Sequence, residues 1–242
     1  MERNLTYFLS DVHLGLNYKN PARREERFVD FLNGIPAENT QALYLLGDIW
    51  DFWYEYEDVV PRGYVRVFAA LTRLMDGGVK VFFIPGNHDI WCYSYFESLG
   101  MVKLAQPFFV TINGKRFCVG HGDGLGKGML KYKALKKIFY SPFLQRMFST
   151  LHPYIAFKIA RSWSEGSRLA KGESYLFRGH EEPLYRWADG CKERADWYIF
   201  GHYHCHYEAA LPSGGSLCLL RDWTEKANWY VFNGQELRYE SR

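Results

Sequence analysis

Carboxylates, imidazoles and one amide recur in five short motifs. These are Asp11-Val12-His13, Gly47-Asp48-Ile49-Trp50-Asp51, Gly86-Asn87-His88-Asp89, Gly120-His121-Gly122-Asp123 and Gly201-His202-Tyr203-His204. All are metal-ligand types, and no motif holds a thiolate. That donor set argues against structural zinc, which favours cysteine. It suits a harder ion with mixed nitrogen and oxygen ligation, such as manganese or iron. Alternation along a strand end puts residues i and i+2 on one side. Asp11 with His13, and His202 with His204, can therefore each grip one ion. Any one of these motifs alone reads as a loop or turn. Five of them, each following an apolar strand, read as one site.

The elements that must position them are also legible. Leu5–Ser10, Ala42–Leu46 and Val79–Ile84 are apolar strands that end in the first three motifs. Helical spacing in Pro21–Leu32 and Tyr64–Met75 completes a β-α-β-α-β pattern, that of a sheet layered with helices. In such folds ligands collect at the carboxyl ends of strands. Phe108–Ile112 and Lys115–Val119 flank Asn113-Gly114, a hairpin signal of type I′, and the second strand ends in the fourth motif. Trp197–Phe200 is a strand that ends in the fifth. His206–Leu211, Ser216–Arg221, Ala227–Phe232 and Glu236–Tyr239 are further strands, with a second Asn-Gly turn at Asn233-Gly234. Asp89 and Asp123 read as structural, bonding turns or supporting the ligands.

Between the fourth and fifth motifs the chain changes character. Segment 124–172 holds ten of the 30 basic residues but one of the 27 acidic ones, so it carries +9 and the remainder −6. The net +3 of the whole chain hides this division, which favours an anionic substrate at a membrane surface. Ser141-Pro142 marks a helix start. His152-Pro153 starts another, with Ile155, Ala156, Ile159, Ala160 and Trp163 on one face. Lys133, Lys136 and Lys137 share one side of an earlier helix, and Leu130, Ala134, Leu135, Ile138 and Phe139 most of the other. Its lysines can meet a diphosphate or anionic headgroups while the apolar side meets lipid or the core. Arg161 and Arg168 are further candidates for the same anion. Nucleic acid is not expected, because the aromatic residues lie at helical core spacing rather than as a stacking platform.

The 242 residues are 48% apolar and 24% charged, which excludes a mainly disordered, collagenous or coiled-coil chain. Five cysteines without a C-x-x-C pair point to a reducing compartment. The first residues lack the apolar region of a signal peptide, and no apolar run is long enough to span a membrane.

The D-x-H, GD-x-x-D, GNH-D, GHGD and GH-x-H set, running from residue 11 to 204, resembles the calcineurin-like metallophosphoesterase superfamily. The resemblance implies a four-layer α-β-β-α sandwich with a helical cap insertion. Residues 1–123 and 197–242 would form the core and 124–196 the cap. It implies two divalent metal ions, manganese first, with iron or zinc as the other candidates. Asp11, His13, Asp48 and His204 would hold one; Asp48, Asn87, His121 and His202 would hold the other, with Asp48 bridging. His88 would protonate the leaving oxygen or stabilise the transition state. Asp51 would orient His88, or else serve as a helix N-cap.

The aromatic run Ile49-Trp50-Asp51-Phe52-Trp53 and the basic helical insert further resemble the UDP-2,3-diacylglucosamine hydrolase branch. Those enzymes are peripheral membrane proteins that cleave a lipid A precursor to lipid X and UMP. The resemblance implies an anionic, lipid-linked nucleotide sugar as substrate and a cytoplasmic place on the inner face of the membrane. The alternatives are another phosphomonoester or phosphodiester, or a scaffold without catalysis; the full ligand set disfavours the scaffold. Two positions depart from the branch. The chain keeps histidine at 88, where well-known proteobacterial members carry arginine. Arg221 stands before Asp222-Trp223, where glycine is expected.

Overall fold

A computed structural model describes residues 3–160, 162 and 176–242, apart from the Lys131 side chain. Strands β1 (Leu5–Leu9), β2 (Thr40–Leu45), β3 (Lys80–Phe83) and β4 (Val102–Lys103) run parallel. With β10 (Asn228–Phe232) and β11 (Leu237–Ser241) they form a six-stranded sheet in the order β11-β10-β1-β2-β3-β4. A second sheet has the order β5-β6-β7-β9-β8, from Phe108–Ile112, Lys115–Gly120, Trp197–Phe200, Ser216–Leu219 and Tyr207–Ala210. Here β6, β7 and β9 are parallel. Among the described residues the α-helices are α1 (Pro21–Gly34), α2 (Val65–Asp76), α3 (Tyr95–Ser98), α4 (Leu130–Phe139), α5 (Pro142–Ser149), α6 over 153–160, and α7 (Pro183–Asp189).

Strand alternation sorts the core into layers. Phe8, Tyr44 and Leu46, with Phe232 of β10, point to the second sheet and meet Phe117 and Ile199. Their strand neighbours Leu9, Leu43 and Leu45 point the other way, onto Phe28 and Leu32 of α1 and Leu71 and Leu74 of α2. The second sheet turns Tyr198, Phe200, Leu217 and Leu219 outward onto Leu184 and Ala188 of α7. The result is the four-layer α-β-β-α sandwich. Burying each such side chain contributes about 1.5–3 kcal/mol, so the inner layer firmly sets one sheet against the other. Helix α7 falls inside the 124–196 stretch expected as the cap, yet its buried residues supply the fourth layer.

The turns match their residues. Asn113 and Gly114 both take positive φ, 47° and 78°, as a type I′ hairpin requires. Gly78, at φ 84°, ends α2. At Asn233 the side chain makes the turn instead, accepting from the N–H groups of Gln235 and Glu236 at 3.0 Å each.

Helices α4, α5 and α6 sit on the loops after β2 and β3 through aromatic contacts. Trp91 packs on Phe139 and Phe148, with ring centroids 5.6 and 5.1 Å apart, and its indole N–H donates to the Phe139 carbonyl at 2.9 Å. Phe52 meets Phe157 at 5.2 Å, and the Tyr54 hydroxyl donates to the Gln145 carbonyl at 2.8 Å. Elsewhere these three helices leave apolar side chains open. Leu130, Ile138, Phe143, Met147, Tyr154, Ile155 and Ile159 are exposed. Of the face expected on α6, Ala156 is buried and Ala160 half-buried, and Trp163 lies outside the described residues. Among the described residues no helix is long and apolar enough to cross a membrane.

Candidate metal centre

Strands β1, β2, β3, β6 and β7 all deliver their polar motifs to one edge of the sandwich. Asp11, His13, Asp48 and His204 offer donor atoms within 4.8 Å of one another. His204 Nε2 lies 3.2 Å from Asp11 Oδ1 and 3.2 Å from His13 Nε2. On the other side of Asp48, its Oδ2 lies 3.2 Å from His121 Nε2, which is 3.3 Å from Asn87 Oδ1. The His202 ring stands 5.1 Å from the His121 ring. Asp48 thus touches both groups: Oδ2 is also 4.0 Å from His13 Nε2.

The backbone is bent to achieve this. Asp11, His13, Asp48, His202 and His204 all take positive φ, between 50° and 70°. Such conformations cost a side-chain-bearing residue about 1–3 kcal/mol each and cluster at functional sites. They persist because hydrogen bonds over-determine them. The N–H groups of Asp11 and His13 donate to the carbonyls of Gly47 and Asp48 at 3.0 and 2.9 Å. Two glycines permit the crowding: a Cβ at Gly86 would strike the Asp48 carboxylate, and one at Gly201 the Asp11 carboxylate.

Asp89 has the structural part expected of it. Its carboxylate accepts from the N–H groups of Gly86, Asp48, Ile49 and Trp50 at 2.7–3.3 Å, binding the second motif to the third. Burial and then the Asp48 charge push its carboxyl up to about 7. Asp123 accepts from the Tyr132 hydroxyl at 2.8 Å and the Lys136 ammonium at 2.6 Å, and so pins α4 beside the centre.

The donor chemistry fits divalent cations. Burial alone would drive the proton from His121, yet the Asp48 and Asp11 carboxylates outweigh it and lift its pKa to about 10. Burial would likewise raise Asp11, but His13, His204 and His121 hold its carboxyl well below the ordinary range. A dry cage that attracts a proton this strongly is short of positive charge.

A family model described as calcineurin-like phosphoesterase matches residues 6–206, all five motifs included. The chain belongs to that family. As a phosphoesterase it is a hydrolase. It is 32% identical to a UDP-2,3-diacylglucosamine hydrolase of Porphyromonas gingivalis, over 99% of this chain and 98% of that one. It is also 32% identical to a protein of the same name from Salmonella typhimurium, over 82% of this chain and 81% of that one. Among solved structures, a dimetal phosphatase from Danio rerio matches at TM-score 0.45 with 13% identity, covering 99% of this chain and 96% of that one.

Around the centre of this phosphoesterase, several residues take parts that spacing did not assign. The Asp51 carboxylate is nearer to His13 Nδ1, at 3.3 Å, than to His88 Nδ1, at 3.7 Å. The Asp51 carbonyl, 2.8 Å from His88 Nδ1, is what holds His88, and no helix begins at Asp51. Burial lowers the His88 pKa despite the Asp48 charge. Buried Arg24 donates to the carbonyls of His13, Leu16 and Tyr18, and the Ser10 hydroxyl donates to Asp11 Oδ2. Asp222 Oδ2 lies 3.4 Å from His204 Nδ1. Nothing in the motif spacing ties residues 24 or 222 to the site; only packing brings them there.

Of the lysines expected to meet substrate, Lys136 is engaged by Asp123 and exposed Lys133 donates to the Gly126 carbonyl at 2.8 Å. Lys137 is exposed. Arg161 and Arg168 lie outside the described residues.

Proposed function

We propose that this phosphoesterase cleaves the diphosphate of UDP-2,3-diacylglucosamine, giving lipid X and UMP, at the cytoplasmic face of the inner membrane. The observation that carries this reading is the identity of 32% across 99% of the chain to a hydrolase named for that substrate. That span takes in the cap as well as the motifs. Asp11, His13, Asp48 and His204 would hold one divalent ion, manganese first. Asp48, Asn87, His121 and His202 would hold the second. When bound, such a pair neutralises phosphate charge and lowers the pKa of an attacking water.

The chain's own groups then have distinct tasks. His88, oriented by the Asp51 carbonyl, keeps Nε2 4.0 Å from Asp48 Oδ2. It is half-buried at the rim, where its imidazolium form can give the Nε2 proton to the leaving phosphate oxygen. Lys133 and Lys137 supply charge for the diphosphate or for anionic headgroups, with Arg161 and Arg168 as further candidates. The exposed apolar residues of α4, α5 and α6 suit acyl chains and a lipid surface. The cap, 124–196 by sequence, would be an insertion that serves this substrate.

The test is direct. The purified chain with Mn²⁺ is given UDP-2,3-diacylglucosamine, and the products are identified by mass spectrometry. Equal amounts of UMP and lipid X are expected. Intact nucleotide sugar beside rapid hydrolysis of a small phosphodiester would overturn the substrate and pass the reading to another ester, which the presence of His88 rather than arginine would favour.

A further inference from the structure

Four histidines of the centre share one orientation. His121 turns Nδ1 to the Leu46 carbonyl at 3.0 Å, and His88 turns Nδ1 to the Asp51 carbonyl at 2.8 Å. His13 turns Nδ1 towards Asp51 Oδ1 at 3.3 Å. Each leaves Nε2 facing the cluster. His204 follows the pattern with a partner that no strand-end motif contains. Its Nδ1 lies 3.4 Å from Asp222 Oδ2 while its Nε2 lies 3.2 Å from Asp11 Oδ1.

The restraint matters most at this ring. The side chains of His13 and His121 are 0% exposed, so packing holds them; that of His204 is 32% exposed. A half-exposed imidazole can rotate, or carry its proton on the wrong nitrogen, unless something outside the cluster prevents it.

We propose that Asp222 is a positioning residue for metal binding: its carboxylate keeps the proton of His204 on Nδ1 and leaves Nε2 as the donor. The proposal rests on the reading of Asp11, His13, Asp48 and His204 as ligands. A carboxylate behind a ligand histidine fixes the tautomer and strengthens the donor.

Asp222 is itself placed by contacts that lead back to the site. The Trp223 N–H donates to the Asp11 carbonyl at 3.1 Å, and the buried Trp223 ring packs on Phe28 and Phe31. The Thr224 N–H donates to Asp222 Oδ1 at 2.9 Å, which leaves Oδ2 to His204. Asn228, also buried, donates to the Asp222 carbonyl at 3.1 Å and accepts from the Arg221 N–H at 3.0 Å. The turn is thus latched to Asp11 at one end and to β10 at the other.

The experiment measures Mn²⁺ binding by the full chain at equilibrium, for wild type, D222N and D222A, with circular dichroism as the folding control. Removing such a carboxylate weakens metal binding by about 10–100-fold; D222N is expected near the lower end and D222A near the upper. In the metal-free chain, ¹⁵N NMR of the His204 ring should show the Nδ1–H tautomer in wild type and a shift towards Nε2–H in D222A. Wild-type affinity in a folded D222A, or an unchanged tautomer, overturns the proposal and leaves the ligand assignment standing. Should D222A not fold, unchanged affinity in the isosteric D222N overturns it equally. A wild-type chain that binds no Mn²⁺ overturns the ligand reading instead, and with it this proposal.

Discussion

Asp11, His13, Asp48 and His121 are at most 1% exposed, whereas Leu130, Phe143 and Tyr154 on the cap are at least 70% exposed. The two regions are neighbours, joined by Asp123 and by the Trp91 contacts, but they are held by different forces. The centre is held by backbone. Parallel strands end at one edge, strained loops are bonded N–H to carbonyl, and glycines let carboxylates approach. Helices α4, α5 and α6 are held over their described residues by side chains, chiefly aromatic rings and a few bonds to carbonyls. A backbone-held site keeps its geometry while the side chains over it vary. This suits a family that performs one chemistry on different esters.

Substitutions put that contrast to the test. The largest effect is expected from Asp48→Ala, because the Asp48 carboxylate stands between the two donor groups. Turnover should fall to background and Mn²⁺ binding should be lost in a chain that stays folded, as read by equilibrium dialysis beside circular dichroism. Retained turnover would sink the shared-ligand assignment. His88→Ala comes next. Loss of a general acid costs about 10²–10⁴-fold in kcat, while Mn²⁺ binding should stay as in wild type, since His88 is not among the proposed ligands. A parallel loss of metal would move His88 into the ligand set.

Smaller effects belong to the cap. Trp91→Ala removes the ring between Phe139 and Phe148, and about 2 kcal/mol of stability should go with it. Thermal unfolding would show the loss, and limited proteolysis should cut faster within 124–160. Mn²⁺ affinity should not move; if it falls in step with stability, the two regions are not mechanically separate. Lys137→Ala is the mildest. One basic residue near an anionic surface is worth about 1 kcal/mol, or about fivefold in vesicle binding. Co-sedimentation with anionic vesicles that does not change would remove α4 from the membrane-facing surface.

Much of this was legible in the residues themselves. The first three strands, α1, α2 and the Asn113-Gly114 hairpin follow from periodicity and turn chemistry, which are local. So does the convergence of the five motifs, because parallel strands have one carboxyl edge. Other features were not local. The four residues of α3 and the two of β4 are too short for any period to register. The face expected on α6 illustrates a further limit. Spacing says which residues share a side of a helix, not what covers it, and Ile155 and Ile159 turn out exposed while Ala156 is buried. The aromatic run after Asp48 divides in the same way: Trp50 and Trp53 enter the core with Phe96, while Phe52 and Tyr54 receive the cap.

The residue types in the five motifs, their places at strand ends, the family and the basic character of 124–172 can all be read along the chain. Each depends on residues close together along the chain or on a spacing that one strand or helix enforces. Which oxygen stands behind an imidazole is settled by packing. Asp51 serves His13 more closely than His88, Lys136 is engaged by Asp123, and Asp222 reaches His204 across 18 residues. Those pairings depend on how separate loops pack, and no local period carries that information.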